Sequence, residues 1–260
     1  MSSNFFSIQN TPPWLQFIYF ILISVGCFIL FSTVAVLTVI ALGGNTLAPS
    51  MILITQSITF LGTFILPALW FGYARQEGTI QFFKLSTNFN PKWLWWLLLW
   101  IVSVPLLGYI VRWNAHVSLP SSFSALENWM RDMEQTAKNI TNILLSQNTS
   151  ILITLNVLVI ALLPAIGEEL FFRGVVLRVL LEWWKKKHIA VWVSAVIFST
   201  LHFQFFGFIP RILLGVLLGY AYVYSGSLIV PIFVHFVNNA SAVLLYESNS
   251  PVLNSEFETP

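Results

Sequence analysis

Six side chains in the second half of the chain could carry chemistry, and each sits in or beside an apolar run. Glu168, Glu169 and Arg173 fall in the stretch Gly167-Glu168-Glu169-Leu170-Phe171-Phe172-Arg173; His202 follows Phe198 by four residues; His235 and Asn239 are four apart. On a helix, residues four apart share a face and neighbours are turned by about 100°. Glu169 can therefore pair with Arg173 while Glu168 points elsewhere. The arginine holds one carboxylate ionised and leaves the other free to move protons, as a general base must. His235 and Asn239 project two hydrogen-bonding groups together, and each costs stability in an apolar bundle unless it finds a partner. Taken singly, these features have plainer readings: a structural ion pair with a spare acid, and a packed helix histidine. Their concentration in a chain with so few polar residues favours chemistry, because ionisable groups in apolar spans usually face a cavity and a partner.

The elements that must position these residues follow from composition. Of 260 residues, 57% are hydrophobic and 8% charged, and the mean hydropathy is +0.80. A soluble domain is about 25% charged, so lipid must be the solvent for much of this chain. Its apolar runs are unbroken and about 20 residues or longer, which suits helices and not the short alternating strands of a barrel. The expected fold is all-α, a polytopic transmembrane helix bundle of about seven or eight spans. Spans are predicted at 16–42, 51–73, 93–113, 150–181, 189–206, 209–225 and 228–246. The fourth is too long for one perpendicular crossing and contains Pro164, so it is expected to tilt, kink or project from the bilayer. Between the third and fourth spans, residues 122–138 mix Leu126, Trp129 and Met133 with Glu127, Asp132 and Glu134, the pattern of a short amphipathic helix on the outer surface. It reads as a connector more than as a lid. The chain thus divides into N-terminal scaffold spans with an outer loop (1–148), catalytic helices (149–246) and a polar C-terminal tail (247–260).

Loop charges orient the bundle. Arg75, Lys84 and Lys92 lie between spans two and three, Lys185, Lys186 and Lys187 between four and five, and seven spans put both loops on one side. Basic loops stay cytoplasmic, which sets the N-terminus inside and the tail, with Glu247, Glu256 and Glu258, outside. Trp93, Trp95 and Trp96, and Trp183 with Trp184, stand beside these lysines as interfacial anchors. No Lys or Arg precedes Arg75, so the first span is expected to be retained and not cleaved as a signal peptide. A net charge of +2 gives no reason to expect a nucleic-acid partner, and the single cysteine, Cys27, cannot form an internal disulfide. The expected location is integral to a bacterial cytoplasmic membrane, with the lipid bilayer itself as a partner.

Glu168-Glu169-x-x-x-Arg173, Phe198-x-x-x-His202 and His235-x-x-x-Asn239 resemble, in order, the three motifs of the CAAX protease and bacteriocin-processing (CPBP) family, which includes the type II CAAX prenyl endopeptidases and the abortive-infection proteins. The resemblance covers about residues 163–245, and no motif position is substituted. It implies a bundle of about eight helices around a conical cavity opening towards the cytoplasm and lipid. It further implies an intramembrane endopeptidase acting on prenylated peptides, peptide precursors or other membrane proteins. In that reading Glu168 takes a proton from a water held with the help of His202. His235 and Asn239 stabilise the oxyanion, and Glu169 and Arg173 orient the helix and polarise the site. Glu168 and His202 lie about 17 and about 14 residues from the lysine run, roughly 20–25 Å along a helix, so they can meet at one depth.

No cofactor is favoured. Glu168, His202 and His235 are acceptable zinc ligands, so a zinc-dependent intramembrane metalloprotease is the mechanistic alternative, although no H-E-x-x-H helix occurs. A non-catalytic membrane binding or immunity protein could use the same cavity. A transporter also explains buried acids, but no inverted repeat or pair of broken helices supports it. Gly215-x-x-x-Gly219 after Arg211 is assigned to close helix packing and not to catalysis.

Overall fold

A computed structural model of the chain describes residues 7–85, 90–145 and 150–247, and among these residues every regular element is helical. The order is α1 (Pro13–Ala41), α2 (Pro49–Ala74), a short α3 (Thr79–Phe83), α4 (Pro91–Ala115), α5 (Ser124–Leu145), α6 (Ile151–Trp184), α7 (Lys187–Thr200), α8 (Phe208–Ser225) and α9 (Ile229–Glu247). Six of them, α1, α2, α4, α6, α8 with its preceding turn, and α9, are long and apolar enough to cross a membrane; α7 is a shorter apolar helix. The outer surface carries exposed Leu22, Ile29, Ile40, Val102 and Leu106, whereas Glu169, Arg173 and His235 are buried. Apolar side chains outward and paired ionisable groups inward are what a lipid solvent selects. The chain is an all-helical integral membrane protein.

Each expected span has its counterpart. The amphipathic helix expected at 122–138 is the longer α5. The tail's Glu256 and Glu258, and the domain boundary at 148, lie outside the described residues. One span differs: the fifth was expected to run to residue 206, but α7 stops at Thr200. Phe203 takes a left-handed φ of +53°, which a helix cannot continue through, and Ser199 Oγ donates to the Phe208 carbonyl at 2.8 Å to close the turn.

Local chemistry explains where the long helices deform. α2 and α6 each widen into a π-helical stretch, at Leu61–Ile65 and Val157–Leu162, just ahead of Pro67 and Pro164. A helical proline has no N–H for the carbonyl four residues earlier and its ring crowds that carbonyl; a wider turn relieves both. In α6 a second π-helical stretch, Leu170–Leu177, follows the two glutamates and contains Arg173.

α7 and α8 form a close antiparallel pair because Gly215 and Gly219 face Ala195 and Val191; a Cβ on Gly215 would lie 3.0 Å from the Ala195 Cβ. The packing role expected of this glycine pair is therefore met. α9 lies along α6, α8 packs on α4, and α1 packs on α2 and α6. α5 crosses one end of the bundle: Asn156 of α6 donates to the Leu144 carbonyl at 2.8 Å, Tyr246 of α9 reaches Asn142 at 3.1 Å, and Leu144 packs with Ile52 and Leu53 of α2. At the opposite end Arg75 bonds Gln16 of α1, Glu77 and Glu182 of α6, while Arg178 bonds Glu77, Glu182 and the Phe82 carbonyl. That network ties α1, α2, α3 and α6 together.

Candidate active site

Glu169 is the hub of a buried network. Its Oε1 accepts from Arg173 Nη1 at 2.6 Å, one turn further along α6, and from His235 Nδ1 at 2.8 Å on α9. The expected Glu169–Arg173 pair is thus formed, with both side chains sealed from the surface at 0% and 1% exposure. A buried pair holds only if the remaining donors are satisfied. Arg173 meets that condition by donating through Nη2 to the Gly215 carbonyl at 2.9 Å and lying 4.8 Å from the centre of the Phe198 ring. Gly215 therefore does more than admit a neighbour: its carbonyl fixes the second arm of the guanidinium.

Glu168, one residue earlier, points away from this pair as the 100° rotation requires. Its Oε2 lies 3.7 Å from His202 Nε2 and 3.8 Å from His235 Nε2. Those distances exceed a direct hydrogen bond, and a water seated above the three groups can reach them all. Both imidazoles are oriented by their far nitrogens. His202 Nδ1 lies 2.7 Å from the Phe198 carbonyl, which can only accept, so Nδ1 carries the hydrogen and Nε2 presents a lone pair towards Glu168. His235 Nδ1 donates to the Glu169 carboxylate, which leaves its Nε2 facing Glu168. Phe198 sits between them, its ring 4.8 Å from that of His202 and 6.0 Å from that of His235. The side chain of His202 is 27% exposed and that of Glu168 11%, against 4% for His235; the opening is on the Glu168–His202 side.

Five of the six residues singled out from the sequence converge in this cluster. His202 does so from the turn after α7, not from the helix, held by the Phe198 carbonyl and not merely sharing its face. Asn239 stands one turn beyond His235 on α9, and its hydrogen bond goes to the neighbouring Asn238 amide at 3.1 Å, not to the carboxylate–histidine cluster. Asn238 in turn accepts from Trp100 Nε1 of α4 at 3.0 Å. Trp100 and Asn238 carried no signal in the sequence, since a tryptophan in an apolar span reads as packing. Arg211 also escaped assignment. It bonds the Gln204 carbonyl and side chain at 3.2 and 2.6 Å.

Two cavities flank the turn that carries His202. An apolar one of about 780 Å³ opens between α1, α2 and α6, lined by Phe28, Phe60, Phe64, Phe171, Leu201 and Phe203 among others. A charged one of about 590 Å³ lies beneath α5, where Arg131, Asp132, Glu134 and Lys138 face Gln204 and Gly207.

A carboxylate facing two oriented imidazoles, beside an apolar groove, can position and polarise a water. Residues 150–241 match the type II CAAX prenyl endopeptidase Rce1-like family. That Rce1-like segment contains all six motif residues, from Glu168 to Asn239, and runs from the start of α6 into α9. An uncharacterized protein of Bacillus subtilis, YpbD, is 34% identical over 89 residues, which is 33% of this chain and 42% of that relative's length. The aligned stretch therefore spans less than half of the curated relative. No solved structure matches the chain.

Proposed function

We propose that this protein is an intramembrane endopeptidase of the glutamate type, seated in a bacterial cytoplasmic membrane with its N-terminus inside. The single observation carrying this reading is the placement of Glu168 between two imidazoles whose Nε2 atoms both face it. In the proposed reaction a water lies between Glu168 and His202. Glu168 takes one proton as the water oxygen attacks the peptide carbonyl carbon. His235 Nε2, backed by the Glu169 carboxylate, and the amide of Asn239 donate to the oxyanion, an effect worth several kcal/mol in a dry site. Glu168 then passes its proton to the leaving nitrogen as the C–N bond breaks. Arg173 holds the Glu169 carboxyl group in place. The apolar groove suits a lipid-soluble portion of a membrane-associated or prenylated substrate, and the polypeptide substrate class is that of the Rce1-like resemblance.

Zinc is the alternative. The donor types suit it, and both histidines have their far nitrogens fixed as ligating imidazoles do. However, among the described residues no three His, Cys, Asp or Glu side chains are grouped tightly enough to hold one ion. No step above is routed through a metal. The test compares peptide termini in membranes carrying wild type and Glu168→Ala at matched, folded levels, with and without chelator. New termini that require Glu168 and survive chelation support the glutamate reading. Loss on chelation with recovery by zinc moves it to the metalloprotease, and termini that never differ leave a binding or immunity protein.

A further inference from the structure

The two ends of the bundle differ in charge, and the catalytic cluster belongs to one of them. Ile8 N donates to the Ala74 carbonyl and Leu228 N to the Lys84 carbonyl, so the starts of α1 and α9 share an end with Arg75 and Lys84. The pairing of Arg75 and Glu77 with Arg178 and Glu182 brings the α6–α7 turn, with Lys185, Lys186 and Lys187, to the same end. At the other end Asn114, closing α4, donates to the Phe205 carbonyl at 3.1 Å and accepts from Ile209 N at 3.2 Å. Trp129 of α5 packs on Phe205 at 5.3 Å, and the Arg131 guanidinium lies 4.7 Å over Phe206. Charges there nearly balance, with Arg112, Arg131, Lys138 and Arg211 against Glu127, Asp132 and Glu134, whereas the lysine end carries a clear basic excess. Basic excess marks the cytoplasmic side, so the lysine turn is inside and α5 outside.

The 14 residues of α7 rise about 21 Å from the lysine turn, against a hydrocarbon core of about 30 Å. His202, just beyond them, therefore lies in the outer half of the bilayer, and the turn that holds it continues directly into the floor of the charged cavity. Glu134 in that cavity keeps one buried carboxylate oxygen without a hydrogen-bond partner among the described residues, an acceptor suited to an entering N–H or water. Arg211 at the start of α8 bonds Gln204, on the wall of that cavity, at 3.2 and 2.6 Å and so ties α8 to the turn that carries His202.

We infer that the catalytic cluster opens outward through the charged cavity beneath α5, and that its substrates are polypeptide segments that have already crossed the membrane. The cavity holds the polar residues flanking the scissile bond, while the apolar groove holds the part embedded in lipid. This differs from the cytoplasmic opening that the family resemblance implies, and it rests on the endopeptidase reading and on the N-inside orientation proposed above.

In a Cys27→Ser background, single cysteines are placed at Asp132 on the cavity and at Lys186 in the lysine turn, with Gln135→Cys as a second cavity position should Asp132→Cys fold poorly. A membrane-impermeant maleimide applied to intact cells labels Asp132→Cys or Gln135→Cys, and labels Lys186→Cys only after permeabilisation. The reverse pattern overturns the inference and leaves the endopeptidase reading standing. Attachment of a bulky maleimide at the cavity position then abolishes the Glu168-dependent peptide termini formed by the same variant before labelling; undiminished termini overturn the cavity as the entrance. If labelling follows the expected pattern but no termini depend on Glu168, the substrate assignment falls with the endopeptidase reading while the outward opening remains.

Discussion

Glu168 and Glu169 are adjacent, chemically identical and assigned opposite tasks, and the difference is wholly one of surroundings. Glu169 is bonded to a guanidinium and an imidazole in a sealed pocket, whereas Glu168 faces two nitrogens at distances that admit a water. Replacing Glu168 by Gln preserves its volume and removes the base, so cleavage is expected to fall by about 10²–10⁴-fold with unchanged thermal stability in detergent. Removing the positive partner of Glu169 acts on the fold. Arg173→Met strands a buried carboxylate and is expected to cost about 3–5 kcal/mol, read as a lowered denaturation midpoint. Trp100→Phe tests the amide chain through Asn238 to Asn239. It deletes one N–H donor, costs about 1 kcal/mol, and frees the Asn239 amide to turn from the site, so kcat should fall while KM stays near wild type.

At the scale of elements, the α7–α8 pair is the part whose spacing the site depends on. α8 supplies the Gly215 carbonyl to Arg173, and α7 supplies the Phe198 carbonyl to His202. A Cβ at Gly215 meets Ala195 at 3.0 Å from its Cβ and 3.2 Å from its Cα. The Cα is backbone and cannot turn aside. Gly215→Ala is therefore expected to separate the two helices, destabilise by about 1–3 kcal/mol and lower cleavage through Arg173. Gly26 of α1 is a matched control, since nothing stands within 4 Å of its absent Cβ. Gly26→Ala there should be neutral or stabilising by up to about 1 kcal/mol. Unfolding midpoints of the two variants in one detergent check both signs. In α2 and α6 the π-helical stretches ahead of Pro67 and Pro164 show sequence setting local geometry, because a missing N–H forces the ladder to change register.

Across the whole molecule, one end is held by charge and the carboxylate–histidine cluster lies away from it. Glu77 lies in the loop beyond α2, outside the spans. Partial burial works against its ionisation, but the hydrogen bonds and charges of Arg75 and Arg178 outweigh that and hold its carboxyl below the ordinary 4.5. A depressed carboxyl stabilises the fold fully above its unfolded value, and that contribution is lost as pH falls through the lower folded one. The denaturation midpoint of wild type should therefore exceed that of Glu77→Gln by a constant margin at neutral pH, and the margin should shrink only below about pH 4.5. A margin that is already absent at pH 7 would mean that the network does not clamp α2 to α6.

The sequence by itself determined the solvent, the order of apolar helices, the Glu169–Arg173 pair and the residues proposed to carry the chemistry. Each of these is local: apolar run length, helical spacing and the rarity of charge in lipid act within one segment. The tertiary structure decided what no single segment contains. It showed that α7 ends before His202, because a left-handed Phe203 and the Ser199–Phe208 bond depend on α8 lying alongside. It turned the Glu169 carboxylate towards His235, 66 residues away, and made the Gly215 carbonyl a ligand of Arg173 across the helix pair. It also gave Asn239 a partner in Asn238 and, through it, in Trp100, where spacing had suggested a place beside His235. Partners that meet across helices are set by how the helices pack, and helical spacing along one chain segment carries no record of that.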